Sequence, residues 1–230
     1  MGLDGNKVKI VGIIQCRTGS KRLPDKALMS LAGRPMLWRY IERCKRIEML
    51  DELVLATTEL YRDNVLCDIA ELLNIKWFRG SEDDLVDRIY QCAIKHKADV
   101  IVRLCADNPL IEPEEADRII KYFLERSYTV IPSLISNTQN LKSNNYPDGI
   151  GCEIYDIDSF KWTFNGDREH PHSKFYQRGW IETIPCPKEF AYPQIKLDVN
   201  TKKEYEYVKK IYDHFGHNNF HVTDYIRGLL

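Results

Sequence analysis

The sequence predicts an α/β protein, a parallel sheet with helices packed on both faces. Three observations carry this. Short apolar runs of strand length alternate along the chain with longer segments whose apolar residues recur at three- and four-residue spacing. The runs are short and largely apolar, as in strands buried on both faces of a parallel sheet. Directly after the first run comes a loop without periodicity that concentrates positive charge.

Residues 8–14 read as the first strand, and Gln15 to Lys26 as the loop. Gly33-Arg34-Pro35 precedes a helix over 36–47, with Pro35 suited to its first turn and Met36, Leu37, Tyr40, Ile41 and Cys44 on one face. A second strand (53–56), a helix (65–73) and a third strand (75–78) follow. Ser81 is the expected N-cap of the next helix, with Asp84 at its third position. The fourth strand is 100–104, and Pro113 opens another helix. From about 133 to 187 the rhythm breaks, with many Asn, Pro, Tyr and Trp and only short strand candidates at 151–155 and 181–185. We read this stretch as an acceptor-binding or dimerisation insertion, or a lid, within a single domain spanning 1–230. A last strand (195–199), a helix (202–215) and a short closing helix (221–230) complete the pattern.

Totals exclude several functions. Thirty-three Lys and Arg against 34 Asp and Glu leave a net charge of −1. No broad basic field exists for duplex binding, so nucleic acid is not an expected partner. No apolar run approaches the ~20 residues of a membrane span, and residues 1–7 carry no signal-peptide core. No membrane partner is expected, and the expected location is the cytoplasm. Seven cysteines, an odd number with no C-x-x-C, point to reduced thiols.

The loop carries the chemistry. Arg17, Lys21, Arg22 and Lys26 are interleaved with Gly19, Ser20 and Pro24. A basic loop at the carboxyl end of a first strand is where an α/β sheet would hold a polyphosphate. It is neither a Walker A loop nor G-x-G-x-x-G, so side-chain charge must supplement backbone amides. The plain alternative is a solvated surface loop. A polyphosphate also calls for Mg²⁺, hence for carboxylates at other strand ends. Asp107 and Asp198 stand at two such ends, with Asn200 two residues beyond Asp198, on the same side of an extended chain. Asp107-Asn108-Pro109 equally suits a turn. Asn200 or Thr201 equally suits a helix cap, with Glu204 completing a capping box.

The order Arg17-Thr18-Gly19-Ser20-Lys21-Arg22-Leu23-Pro24-Asp25-Lys26 resembles the R-x-G-S-x-R-L-P-x-K loop of spore-coat polysaccharide cytidylyltransferases, relatives of CMP-Kdo and CMP-sialic acid synthetases. Asp107-Asn108-Pro109-Leu110 resembles their D-x-P-L. Arg79-Gly80-Ser81-Glu82-Asp83-Asp84, with Asp87-Arg88, resembles a further family stretch near the nucleotide base. Tyr146-Pro147-Asp148-Gly149 with Glu153, and Arg168-Glu169-His170, resemble the spore-coat branch. The likeness runs from about residue 8 to 214. Two positions depart from the pattern: Asn200 stands where sialic-acid-type relatives have Asp, and Cys105 where Gln or Thr is common.

The resemblance implies a Rossmann-like three-layer sandwich with a mostly parallel mixed sheet, of the nucleotide-diphospho-sugar transferase type. It implies transfer of CMP from CTP to an acidic sugar, release of pyrophosphate, Mg²⁺ and a homodimer. Lys26, Arg17 and Asp107 would be catalytic. Arg17, Gly19, Ser20, Lys21, Arg22, Lys26, Arg79, Ser81 and Asp84 would bind the nucleotide. Glu153, Arg168 and His170 would bind the acceptor, and Asp107, Asp198 and Asn200 the metal. Three alternatives remain open: a phosphate or phosphonate acceptor, a nucleotide-binding protein without catalysis, and a GT-A glycosyltransferase, which would want D-x-D near residue 107. Asp84 and Arg88 also suit a plain i, i+4 surface pair.

Overall fold

The computed structural model describes residues 7–126, 134–136 and 144–228. The first strand, β1 (Ile10–Gln15), sends Ile10 and Ile14 into one apolar cluster and Val11 and Ile13 into another. Successive side chains of a strand point to opposite faces, so an unbroken apolar run means burial on both. A hairpin of β2 (Ser30–Leu31) and β3 (Arg34–Pro35) leads into α1 (Met36–Cys44). There follow β4 (Glu52–Thr58), α2 (Asn64–Leu72), β5 (Lys76–Gly80), α3 (Leu85–Lys95), β6 (Val100–Cys105) and α4 (Pro113–Arg126).

These strands lie parallel in the order β5-β4-β1-β6. The chain runs outward from β1 through β4 to β5, then returns to the other side of β1 as β6. This reversal makes the carboxyl ends of β1 and β6 a switch-point crevice. α1, α2 and α4 cover one face through residues such as Tyr40, Leu66 and Ile120, and α3 covers the other through Val86, Ile89 and Cys92.

The stretch after α4 extends this same sheet. β7 (Leu134–Ser136), β8 (Glu153–Asp156), α5 (Ile157–Phe160), α6 (Ser173–Arg178) and β9 (Ile181–Glu182) follow in turn. β8 pairs antiparallel with β6, β7 antiparallel with β8, and β9 parallel with β7, giving a seven-stranded mixed sheet. Residues 133 and 137–143 of the expected insertion lie outside the described residues. α7 (Lys202–Phe215) and α8 (Val222–Arg227) close a third apolar cluster with Leu31 and Met36, built on Tyr205, Val208 and Tyr212.

Two expectations need correction. Residues 195–199 form no strand of the sheet. Their one β-bridge pairs Lys196 with Asp148, while Leu197 N donates to Asp148 O (2.8 Å) and Val199 N to Asp107 O (2.7 Å). Leu197 and Val199 are buried in the third cluster, so the run is apolar without being sheet. Ser81 is also not the cap of α3. Asp84 is, its side chain accepting from Asp87 N at 2.8 Å, while Ser81 Oγ accepts from Asp84 N (3.1 Å) just upstream. Both residue types cap well, and only packing chose between them.

Candidate active site

The loop leaving β1 is anchored at Thr18. Its amide and hydroxyl donate to Asp63 Oδ1 at 2.8 and 2.6 Å, and the Thr58 hydroxyl donates to Oδ2. Burial of Asp63 would raise its carboxyl, but hydrogen bonds from Thr18 and Thr58 outweigh this and hold it below the usual carboxylate range. Thr18 O accepts from Ser20 N (2.7 Å) and Asp25 N (3.1 Å), so the loop closes on itself. It passes tightly under the Arg62–Glu82 ion pair, since a Cβ on Gly19 would meet Arg62 Nη2 at 2.5 Å and Glu82 Oε1 at 3.0 Å.

Lys26 opens a 3₁₀ turn, Lys26–Leu28, and is only 6% exposed. Its ammonium sits among three oxygens: Asp107 Oδ1 at 2.7 Å, Val199 O at 2.8 Å and Asn200 Oδ1 at 3.3 Å. Arg22 Nη2 donates to the same Asn200 oxygen at 2.7 Å. Asn200 is held in this orientation from behind, because its Nδ2 donates to Asp198 Oδ2. Asp198 Oδ1 is buried without a hydrogen bond among the described residues, with Lys196 Nζ 3.6 Å away. Burial first, then the Asp148 carboxylate, push the Asp198 carboxyl up to about 6 against the pull of Lys196. Gly149 seats this segment. At φ +93° it lies against the backbone of Leu197 and Asp198, where a Cβ would collide with the Asp198 amide.

These groups line a cleft of about 410 Å³ at the crevice between β1 and β6. Arg17, Ser20, Lys21, Arg22, Lys26, Asp107, His170 and Asn200 all line it. Gly19 lies in the loop under Arg62, and Asp198 sits behind Asn200. The other expected site residues stand outside this lining. Arg79 turns away to Asn64 and to Glu59 O (3.4 Å). Arg168 is bound to the Asp84 carboxylate, its Nε at 2.9 Å, and stacks over Phe164 at 4.5 Å. Ser81 O accepts from Arg88 Nη1 (2.7 Å). Glu153 is buried against Arg103 Nη1 (2.6 Å), His172 Nδ1 (2.9 Å) and Tyr155 OH (2.7 Å). Burial would raise the Glu153 carboxyl, but Arg103 and then His172 hold it well below its usual value.

Sequence reasoning missed Asp63, and it set Arg88 in a family stretch near the nucleotide base without naming it as a binding residue. Asp63 had no legible signal, because its partners are Thr18 and Thr58 on other elements. Arg88 did have one: it lies on the apolar stripe of α3 with Leu85 and Cys92, where a charge is out of place. The structure brings it into the cleft lining.

The cytidylyltransferase family model matches residues 11–217, a span that takes in the loop, Asp107 and Asn200. The chain belongs to the cytidylyltransferase family. As a cytidylyltransferase it is a CTP-dependent nucleotidyltransferase. It is 30% identical to the spore coat polysaccharide biosynthesis protein SpsF of Bacillus subtilis, over 90% of this chain and 88% of that one. A 3-deoxy-manno-octulosonate cytidylyltransferase of Lawsonia intracellularis is 32% identical over 52% of this chain and 47% of its own. Among solved structures, a cytidylyltransferase from Leptospira borgpetersenii superposes with a TM-score of 0.88 at 26% identity, covering 97% of this chain and 94% of that one.

Proposed function

We propose that this cytidylyltransferase transfers CMP from CTP to an acidic sugar, with release of pyrophosphate, in the making of a surface polysaccharide or glycoconjugate. One observation carries the reading: Lys26 and Arg22 converge with Asp107 and Asn200 in a single cleft, although the chain separates them by up to 178 positions. In the reaction an acceptor hydroxyl oxygen bonds to the α-phosphorus of CTP and loses its proton. The bond from that phosphorus to the bridging oxygen breaks, and pyrophosphate leaves with the electron pair. Charge builds on phosphate oxygens throughout, so fixed cations lower the barrier. Arg17, Lys21 and Arg22, with Gly19 and Ser20, would hold the phosphates. Lys26 would stabilise charge developing in transfer, because its ammonium is held in place before substrate arrives.

The donor set fits Mg²⁺, which takes oxygen ligands and is held by one or two carboxylates together with substrate phosphates. Asp107 Oδ1, Asn200 Oδ1 and Val199 O already gather round one cation, the Lys26 ammonium, and Asp198 keeps a buried oxygen without a hydrogen bond among the described residues. Asp107 and Asn200 would hold the ion, with Asp198 adding charge and orienting Asn200. When bound, the metal would neutralise phosphate charge. Glu112, Glu114 and His221 also cluster within 4.8 Å, but Glu112 is already paired with Arg43 and none of the three lines the cleft.

The acidic acceptor rests on the likeness to SpsF and to a 3-deoxy-manno-octulosonate cytidylyltransferase, and on His170, which faces the cleft beside Glu169. Glu153 would act from behind through His172, and Arg168 by fixing Asp84 at the start of α3. On the same resemblance the enzyme works in the cytoplasm as a homodimer. Pyrophosphate release should be measured with CTP and Mg²⁺ over a panel of sugar acids, neutral sugars, phosphates and phosphonates. A sugar acid should give turnover. Turnover confined to phosphate or phosphonate acceptors would replace the proposed acceptor, and CTP binding without pyrophosphate from any acceptor would sink the catalytic reading.

A further inference from the structure

We propose that Arg88 is a substrate-binding residue of this cleft that takes a phosphate group of the nucleotide, an inference that rests on the nucleotide site proposed above. Arg88 is the fourth residue of α3 and is 3% exposed. Nη1 donates to Ser81 O, but Nε is buried with no hydrogen-bond partner among the described residues. Among the described residues no carboxylate lies within ion-pair distance of its guanidinium. The nearest carboxylate in sequence, Asp84, is taken by Arg168.

A buried cation without a counter-charge is costly, and a fold that keeps one has a use for it. Of the other cations of the cleft, Lys21 is exposed to solvent and the rest have partners. Lys26 pairs with Asp107 and Arg22 with the Asn200 oxygen. Arg17 donates to Glu82 O at 2.9 Å and lies 3.7 Å from the half-exposed Glu169. Arg88 thus lines the cleft beside Arg17, and the two guanidinia repel. Burial first and Arg17 next pull the Arg88 pKa down to about 10, so it is still charged at neutral pH.

What relieves such a site is an anion with several oxygens. A guanidinium edge binds phosphate oxygens in matched geometry. A pyrimidine offers only neutral acceptors and would leave both charges uncompensated. The triphosphate is the anion that the reaction brings into this cleft.

The test is calorimetric titration of the whole protein with CTP, pyrophosphate and cytidine, in wild type, Arg88→Gln and Arg88→Lys. Arg88→Gln should weaken CTP and pyrophosphate by about tenfold or more, the scale of a lost hydrogen bond to a charged group, and leave cytidine unchanged. Arg88→Lys should recover part of the loss. The free Arg88→Gln protein should melt no lower than wild type, since it loses an unpaired buried charge. Unchanged CTP and pyrophosphate affinities would overturn the proposal. So would a loss of cytidine binding equal to that of CTP, which would assign Arg88 to the base. A lower melting point with unchanged affinity in the folded fraction would make it structural. None of these readings needs turnover, so failure of the acceptor panel and failure of Arg88 are told apart.

Discussion

Lys26 shows how much a single side chain is constrained by its surroundings. A buried ammonium with a carboxylate and two further oxygens around it has nowhere else to go, and such preorganisation is what stabilises developing charge. Lys26→Ala should therefore cost about 2.7–4 kcal/mol in kcat, the scale of losing one preorganised donor. Steady-state turnover checks this, and a near-wild-type kcat would remove Lys26 from the chemistry. Asp107→Asn should abolish Mg²⁺-dependent turnover while the thermal transition stays close to that of wild type. An unaltered Mg²⁺ titration would count against Asp107 as a ligand. Gly149 is constrained by backbone alone. Gly149→Ala forces an L side chain into φ +93° against Asp198, and strain of this kind costs about 1–3 kcal/mol before the collision is counted. Denaturant unfolding should show a loss at the upper end of that range or beyond, with activity falling because Asp198 and Asn200 move.

At the scale of elements, α7 links stability to the site. Its N-terminus is closed by a capping box: Thr201 Oγ1 accepts from Glu204 N (3.4 Å), and Glu204 Oε2 accepts from Thr201 N and Asn200 N, both at 2.8 Å. Burial would raise the Glu204 carboxyl, but Lys196 and these amides bring it down to about 2. A carboxyl lowered on folding binds its proton more weakly in the native state than in the unfolded one. Its stabilisation is thus complete above the unfolded value of about 4.3 and is lost as pH falls toward 2. Glu204→Gln should flatten the stability profile between those limits, as read by thermal melts across pH. A wild-type slope in the variant would show that other carboxylates carry it. Because Glu204 also holds the Asn200 amide, the same variant should loosen Asn200 and raise the KM for CTP.

The molecule is organised around one seven-stranded mixed sheet. Its parallel half places the basic loop, Cys105 and Asp107 at one end, and the chain after α4 adds the antiparallel β8 beside β6, with β7 and β9 beyond it. The segment carrying Asp198 and Asn200 then returns to the same end outside the sheet. Among the described residues no helix is long and apolar enough to cross a membrane. A cleft whose walls come from so many separate parts of the chain should be tied together by its substrate. CTP with Mg²⁺ at 100 times Kd adds about 2.7 kcal/mol by mass action. For a chain of this length that is a melting shift of roughly 5–10 °C. Chelating the metal with EDTA should remove most of the shift, and an equal shift without metal would show that the nucleotide is held by cations alone.

Much of this protein was decided by local pattern. Both-face burial writes itself in β1 as an unbroken apolar run and in β6 as one interrupted only by Arg103, the helix stripes as 3-4 spacing, and the Thr201–Glu204 box as residues three apart, because each depends on neighbours close in the chain. The basic loop and Asp107 were legible for the same reason, as compact local stretches. The tertiary structure alone decided that residues 195–199 stay out of the sheet, that Asp84 caps α3, and that Asp63 anchors Thr18. It also decided that Arg168 pairs with Asp84 while Arg88, among the described residues, is left without a carboxylate. Charge and hydrogen-bond partners are settled by distance in space, and pairings such as Arg168 with Asp84, 84 residues apart, have no periodicity to announce them.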